Sequence, residues 1–166
     1  MIALKNILVA TDFSESSNAA LVYGRDLARL YGSALHLLHV VGDVATQAIT
    51  PVGIVPDIGR LQMEMEQEAY QRLDESVEQN GQRPQGVKTT VMTSGTPAHA
   101  ILAYAKAAEI DLIVVGTHGR TGLTHLLMGS VAEHVVRSAP CPVLAVRENQ
   151  RQFIRSDAAQ CALATA

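Results

Sequence analysis

The first apolar block of the chain is short and sharply ended. Asn6 to Ala10 reads Asn-Ile-Leu-Val-Ala, and the polar group Thr11-Asp12-Phe13-Ser14 stops it, the pattern of a buried strand meeting a helix cap. From Ser14 the apolar positions Ala20, Tyr23, Leu27 and Leu30 recur at helical spacing, with Gly32 as the stop signal. Ala34 to Val41 predicts a second strand, and Gly42 to Pro56 then breaks the pattern as a long, unusually apolar loop. A stripe through Leu61, Met65, Ala69, Leu73 and Val77 predicts a helix from Ile58 that turns Glu64, Glu68, Asp74 and Glu75 elsewhere and stops at Asn80-Gly81. Val87 to Met92 predicts a third strand. Thr96-Pro97 offers an N-cap threonine with proline at the first helical position, for a helix reaching about Glu109. Asp111 to Gly116 predicts a fourth strand, Ser130 to Ser138 a short helix, and Pro142 to Arg147 a fifth strand.

Five apolar strands alternating with four helices imply a parallel sheet covered on both faces, because right-handed crossovers place helices on both sides. In such sheets ligands sit beyond the carboxyl ends of the strands, near the switch in strand order. Two segments qualify by position: Thr11 to Ser14 after the first strand, and a glycine-rich segment after the fourth.

Composition narrows the picture. The 166 residues suit a single domain, expected over residues 1–147, with 148–166 as a tail outside it. With 48% hydrophobic and 17% charged residues and a net charge of -3, the chain makes no broad electrostatic claim on nucleic acid or on an acidic membrane, so any anion site must be local. The start carries no basic leader with a long apolar run, and nowhere do eighteen apolar residues run together, so the expectation is a cytoplasmic protein without membrane insertion.

Several chemistries find no support. Gly81 and Gly86 have the separation of a Walker loop, but Val87 intrudes before Lys88-Thr89 and a strand follows. No Gly-x-Gly follows the first strand, as a dinucleotide fold would need. His36 and His39 lie three apart on a strand and point to opposite faces, so they read as packing rather than a metal grip. His118, His125 and His134 come with no cysteine or carboxylate pair at ligand spacing, although His118 is placed to approach a phosphate. Cys141, between two prolines, reads as a small buried hydrophobe, and Cys161 falls in the tail. No nucleophile elbow and no paired carboxylates indicate catalysis.

The segment Gly116-Thr-His-Gly-Arg-Thr-Gly-Leu-Thr-His-Leu-Leu-Met-Gly-Ser carries four of the twelve glycines and has two physical readings. In one, Gly116 ends a strand, Gly119 and Gly122 turn corners, and Ser130 with Glu133 forms a capping box. In the other, the backbone N–H groups of Gly119, Gly129, Ser130 and Val131 converge on phosphate oxygens, aided by the positive end of the last helix and by Arg120. Glu133 opposes the second reading if it reaches back to Ser130, because it then occupies a donor and brings negative charge.

The spacing Gly116-x2-Gly119-x9-Gly129-Ser130, continuing into Val-Ala-Glu-His-Val-Val-Arg-Ser-Ala-Pro-Cys-Pro-Val-Leu-Ala-Val-Arg, closely resembles the universal stress protein family in its nucleotide-binding branch. Asn6-Ile-Leu-Val-Ala-Thr-Asp-Phe-Ser, the Leu-His-Leu-Leu-His-Val strand, Gly95-Thr-Pro and Asp111-Leu-Ile-Val-Val-Gly116 agree as well, so the resemblance covers roughly Leu4 to Arg147. It implies an α/β fold: an open parallel five-stranded sheet of order 3-2-1-4-5, like that of the adenine nucleotide alpha hydrolases. It also implies ATP or a related adenine nucleotide, with magnesium, across the ends of strands one, two and four. Thr11 and Asp12 would lie beside the nucleoside, Val40 or Val41 would meet the adenine through backbone groups, and Gly116 to Val131 would hold ribose and phosphates. The family further implies a homodimer paired through the last strand, Val143 to Arg147, and a regulatory role in stress physiology with an unidentified protein partner. Slow ATP hydrolysis or phosphate transfer in the same site, and a nucleotide-independent interaction module, are the alternatives.

Overall fold

The computed structural model describes residues 2–47, 57–78, 84–118 and 128–148. Five strands run in the order β1 (Asn6–Thr11), β2 (Ala34–Val41), β3 (Val87–Thr93), β4 (Leu112–Gly116) and β5 (Val143–Val146) along the chain. In space they form one sheet ordered β3-β2-β1-β4-β5, with every pairing parallel. The helices among the described residues are α1 (Glu15–Tyr31), α2 (Val44–Gln47), α3 (Ile58–Val77), α4 (Pro97–Ala107) and α5 (Ser130–Ser138). The expected architecture and strand order are observed, β2 and α5 keep their expected bounds, and α3 begins at Ile58 as expected and ends at Val77, while the expected stop at Asn80-Gly81 lies outside the described residues.

The pleat of β1 explains why the sheet is covered twice. Ile7 and Val9 face one side, where Leu35, Leu37 and Val114 meet Ala20, Tyr23 and Ala28 of α1 and Leu73 and Val77 of α3. Leu8 and Ala10 face the other, where Leu38 and Ile113 meet Ile101 and Ala105 of α4 and Val135 of α5. A central strand apolar on both faces cannot sit at a solvated surface, so β1 lies mid-sheet and the order reverses beside it.

Local chemistry sets the ends of the elements. Ser14 caps α1, its side chain accepting from Ser17 N, and Gly32 closes the helix in the left-handed conformation at φ 67. The Asp111 carboxylate accepts from the backbone N–H groups of Lys5 at 2.7 Å and Asn6 at 2.9 Å, fixing the start of β1 against β4. These bonds hold the Asp111 carboxyl below the usual carboxylate range.

Three details differ from the sequence reading. The segment Gly42 to Pro56 is not loop throughout, since Val44–Gln47 forms a short helix whose Val44 N–H is accepted by Gln62 of α3; residues 48–56 lie outside the described ones. Thr96 is the N-cap residue of α4 but makes no side-chain capping bond, so proline at the start of the helix carries that signal alone. Helix α4 stops at Ala107, and Glu109 turns the chain at φ 48. His36 and His39 are both buried in β2, as the packing reading requires, and burial pushes the half-buried Cys141 thiol up. Cys161 and the tail beyond residue 148 lie outside the described residues. No helix among the described residues is long and apolar enough to cross a membrane.

Candidate functional site

Where β1, β2 and β4 end together, a cleft of about 290 Å³ opens between the sheet and the starts of α4 and α5. That is at the lower edge of the roughly 300–1,000 Å³ typical of small-ligand pockets. Its floor is apolar, built from Ala10, Leu38, Val40, Ile101 and Val115. Each strand residue here lies on the same pleat as the core under α4 and α5, so the floor is the upper end of that core left uncovered.

The first wall is the turn after β1. Thr11 is buried, and its hydroxyl accepts from Phe13 N at 3.0 Å and lies 3.0 Å from Ser17 Oγ. Asp12 Oδ1 accepts from Ser14 N at 3.0 Å. Phe13 takes a positive φ of 63, which costs a bulky residue on the order of 1–3 kcal/mol. The surroundings fix that conformation: His39 packs on the Phe13 ring at 4.4 Å between centroids, and the Arg72 guanidinium lies 4.1 Å above it. His39 Nδ1 donates to the Thr11 carbonyl at 2.7 Å, which defines its tautomer and joins the ends of β1 and β2.

The second wall follows β4. Gly116 lies so close to the start of α1 that a Cβ there would strike Ser16 Oγ and sit 2.7 Å from Ser16 C and 2.8 Å from Ser17 N. Gly116 therefore brings helix and strand together, and its first requirement is space. The Ser16 hydroxyl donates to the His118 carbonyl, and the His118 ring nitrogen Nδ1 lies 2.9 Å from Thr117 Oγ1. Gly129 N–H donates to the Thr117 carbonyl at 2.7 Å, closing the excursion between β4 and α5 at its base.

The third wall is the start of α5. Gly129 is the N-cap, in an extended conformation at φ -68 and ψ 152, and the first intrahelical bond runs from Glu133 N–H to its carbonyl. The N–H groups of Ser130, Val131 and Ala132 therefore have no intrahelical acceptor, and no other acceptor among the described residues takes them. All three residues line the cleft. Three aligned donors at the positive end of a helix suit an anion, and the apolar floor beside them suits a flat ring.

Of the expected site residues, Thr11, Asp12, Val40, Gly116, Gly129, Ser130 and Val131 line this one cleft. Val41 does not. Its side chain is buried on the opposite pleat, beside a neighbouring depression of about 300 Å³ that Phe13, Gly42 and Arg72 also line. Gly119 and Arg120 lie outside the described residues. Gly129 needs a correction, because its N–H is held by Thr117 and is no phosphate donor. The capping box is also corrected. With Gly129 as N-cap, Ser130 is already helical and Glu133 falls one position late; its carboxylate pairs with Arg137 at 3.0 Å on the exposed face. The acidic competitor is thus turned away from the donors. Sequence reasoning missed Ala132, the third donor, together with Leu38 and Ile101 of the floor. Parity with Val40 is the signal that points to Leu38, and a place in the first turn of α5 is the signal that points to Ala132. Among the described residues no group of three or more His, Cys, Asp or Glu side chains could hold a metal.

The pattern of the universal stress protein family matches residues 3–147. A universal stress protein of Methanocaldococcus jannaschii, MJ0531, is 34% identical over 149 residues, covering 89% of this chain and 85% of its own. The universal stress protein YxiE of Bacillus subtilis is 36% identical, covering 85% and 97%. Among solved structures, the universal stress protein UspA of Lactobacillus plantarum superposes with a TM-score of 0.70 at 29% identity, over 89% of this chain and all of that one. Two more distant structures, each 21% identical, share the fold: a universal stress protein in complex with cAMP, with a TM-score of 0.58, and one from Archaeoglobus fulgidus in complex with dAMP, with a TM-score of 0.52. This chain belongs to the universal stress protein family.

Proposed function

We propose that this chain is a cytoplasmic, homodimeric regulatory protein that binds ATP or a related adenine nucleotide in the cleft at the ends of β1, β2 and β4, and whose nucleotide state alters its binding to a protein partner. One observation carries the reading: Ser130, Val131 and Ala132, whose N–H groups no acceptor among the described residues takes, line a cleft whose other end is an apolar floor. The phosphates lie at the start of α5, where the helix dipole favours negative charge. The base lies on the Ala10, Val40 and Val115 side, with the backbone of Val40 rather than Val41 available to its edge. Asp12, at the rim after β1, is placed for the ribose. Magnesium, if carried, comes with the phosphates, since the described residues offer no protein cage of three ligands. With a chain net charge of -3, the attraction for phosphate must come from these local dipoles.

The nucleotide-independent alternative would have gained support from Glu133 capping Ser130, and Glu133 pairs with Arg137 instead. The test is thermal unfolding of nucleotide-free protein with and without millimolar ATP and magnesium. A ligand at about 100 times its Kd adds about 2.7 kcal/mol of stability, so the melting temperature rises by several degrees. Adenosine at the same concentration gives a smaller rise. No shift with any adenine nucleotide contradicts the reading.

A further inference from the structure

Outside the cleft, two histidines from different helices meet on the surface. His99 of α4 and His134 of α5 are both exposed, yet their ring centres stand 4.9 Å apart with planes at 71°. The helices beneath them share the core of Ile101, Ala105 and Val135, so packing sets the spacing of the backbone positions that carry the two rings. An ion bound at about 2.0–2.1 Å from one nitrogen of each ring, with ring centres this far apart, subtends a nitrogen–metal–nitrogen angle of about 100°, between square-planar and tetrahedral values. Both rings are exposed and the χ2 torsion is soft for histidine, so each ring can turn a nitrogen toward a shared ion.

We propose that His99 and His134 form a two-imidazole clip for a divalent transition metal of the zinc, nickel or copper type, joining α4 to α5. Neutral imidazole suits these ions and not magnesium or calcium. The pair falls short of a full protein cage, so water completes the coordination and the ion exchanges readily. No bond breaks and no redox step is involved. Because α4 supplies Pro97 and Ile101 to the cleft and α5 supplies the three donors, the clip holds two walls of the cleft in register. The metal site itself does not depend on what the cleft binds.

The test uses the full chain without an affinity tag, stripped with a chelator, free of nucleotide, and titrated calorimetrically with zinc chloride and with nickel chloride. The expected result is one ion per chain. His99→Ala and His134→Ala each weaken binding by about tenfold or more, because chelation by two linked ligands is lost. Melting temperatures without metal stay at the wild-type value, since both rings are exposed; His99→Gln and His134→Gln serve in place of any alanine variant that folds poorly. Electron paramagnetic resonance of the copper form shows two equatorial imidazole nitrogens in the wild type and one in each variant. Wild-type protein that takes up no ion, or either variant titrating as wild type, overturns the proposal. Loss of this site with ATP stabilisation intact would leave the reading of the cleft standing, and the reverse result would leave the clip standing.

Discussion

Gly116 shows how one residue serves packing and site together. Its conformation is open to any residue, but the backbone of Ser16 and Ser17 stands where a Cβ would go. Backbone cannot yield as a side-chain tip can, so Gly116→Ala forces the start of α1 away from β4. The expected cost is about 1–3 kcal/mol in denaturant unfolding, with weaker nucleotide binding because the Ser16 bond to His118 is disturbed as well. Unfolding at the wild-type midpoint would show that α1 shifts freely. The glycine was legible in the sequence as a site residue, but its physical reason was not, since nothing in the segment itself announces Ser16 across the fold. The choice between Val40 and Val41 was legible: strand parity with Ala10 and Leu38 puts Val40 on the cleft side.

At the scale of elements, β2 contains a buried polar group with a pH consequence. His36 is 3% exposed, its Nδ1 lies 2.9 Å from the Tyr104 hydroxyl, and its Nε2 has no hydrogen-bond partner among the described residues. Burial first, and then the charge of Lys88, hold its pKa below the ordinary histidine value. Above about pH 6.5 the ring is neutral folded and unfolded, and it adds no pH dependence. As pH falls below that value the unfolded chain takes up a proton that the folded chain refuses, so stability declines until the folded pKa is reached. His36→Gln removes this part of the slope between neutral pH and pH 5, and unfolding curves across that range check it. An unchanged slope would place the titrating group elsewhere.

Helix α5 teaches a different lesson about elements. Its span was readable from apolar spacing, but its cap was assigned one residue late, because Ser-x-x-Glu is a capping signal only when the serine itself is non-helical. The carbonyl of Thr117 draws Gly129 into the cap position, a long-range bond invisible in local pattern. That one-residue difference leaves the Ser130 N–H beside those of Val131 and Ala132 as a donor and turns the acidic competitor away.

At the scale of the molecule, the layer structure followed from strands apolar on both faces, the strand order was implied by the family resemblance, and the neighbours of each loop came from tertiary packing. The sheet ends on β5, whose outer side pairs with no described strand. An open edge invites a second copy, which motivates the homodimer. Ala145 is exposed in the middle of that strand. In the proposed dimer Ala145→Lys sets like charges on the two paired β5 strands close together, so sedimentation should move from dimer toward monomer, most clearly at low salt. A mutant that sediments as the wild type would direct attention to another surface.

In the proposed site, backbone N–H groups at the start of α5 hold phosphate. Ser130→Pro tests it most directly. Proline is well accommodated at the first helical position, and Gly129 already has the extended conformation that a residue before proline prefers, so the fold is retained while one donor disappears. Ser130→Ala keeps that N–H and loses only the hydroxyl. In calorimetric titrations with ATP and magnesium, Ser130→Pro should bind about 10- to 100-fold more weakly than Ser130→Ala, as a hydrogen bond to a charged group contributes about 1.5–3 kcal/mol. Equal affinity in the two variants, with both folded, would contradict the account.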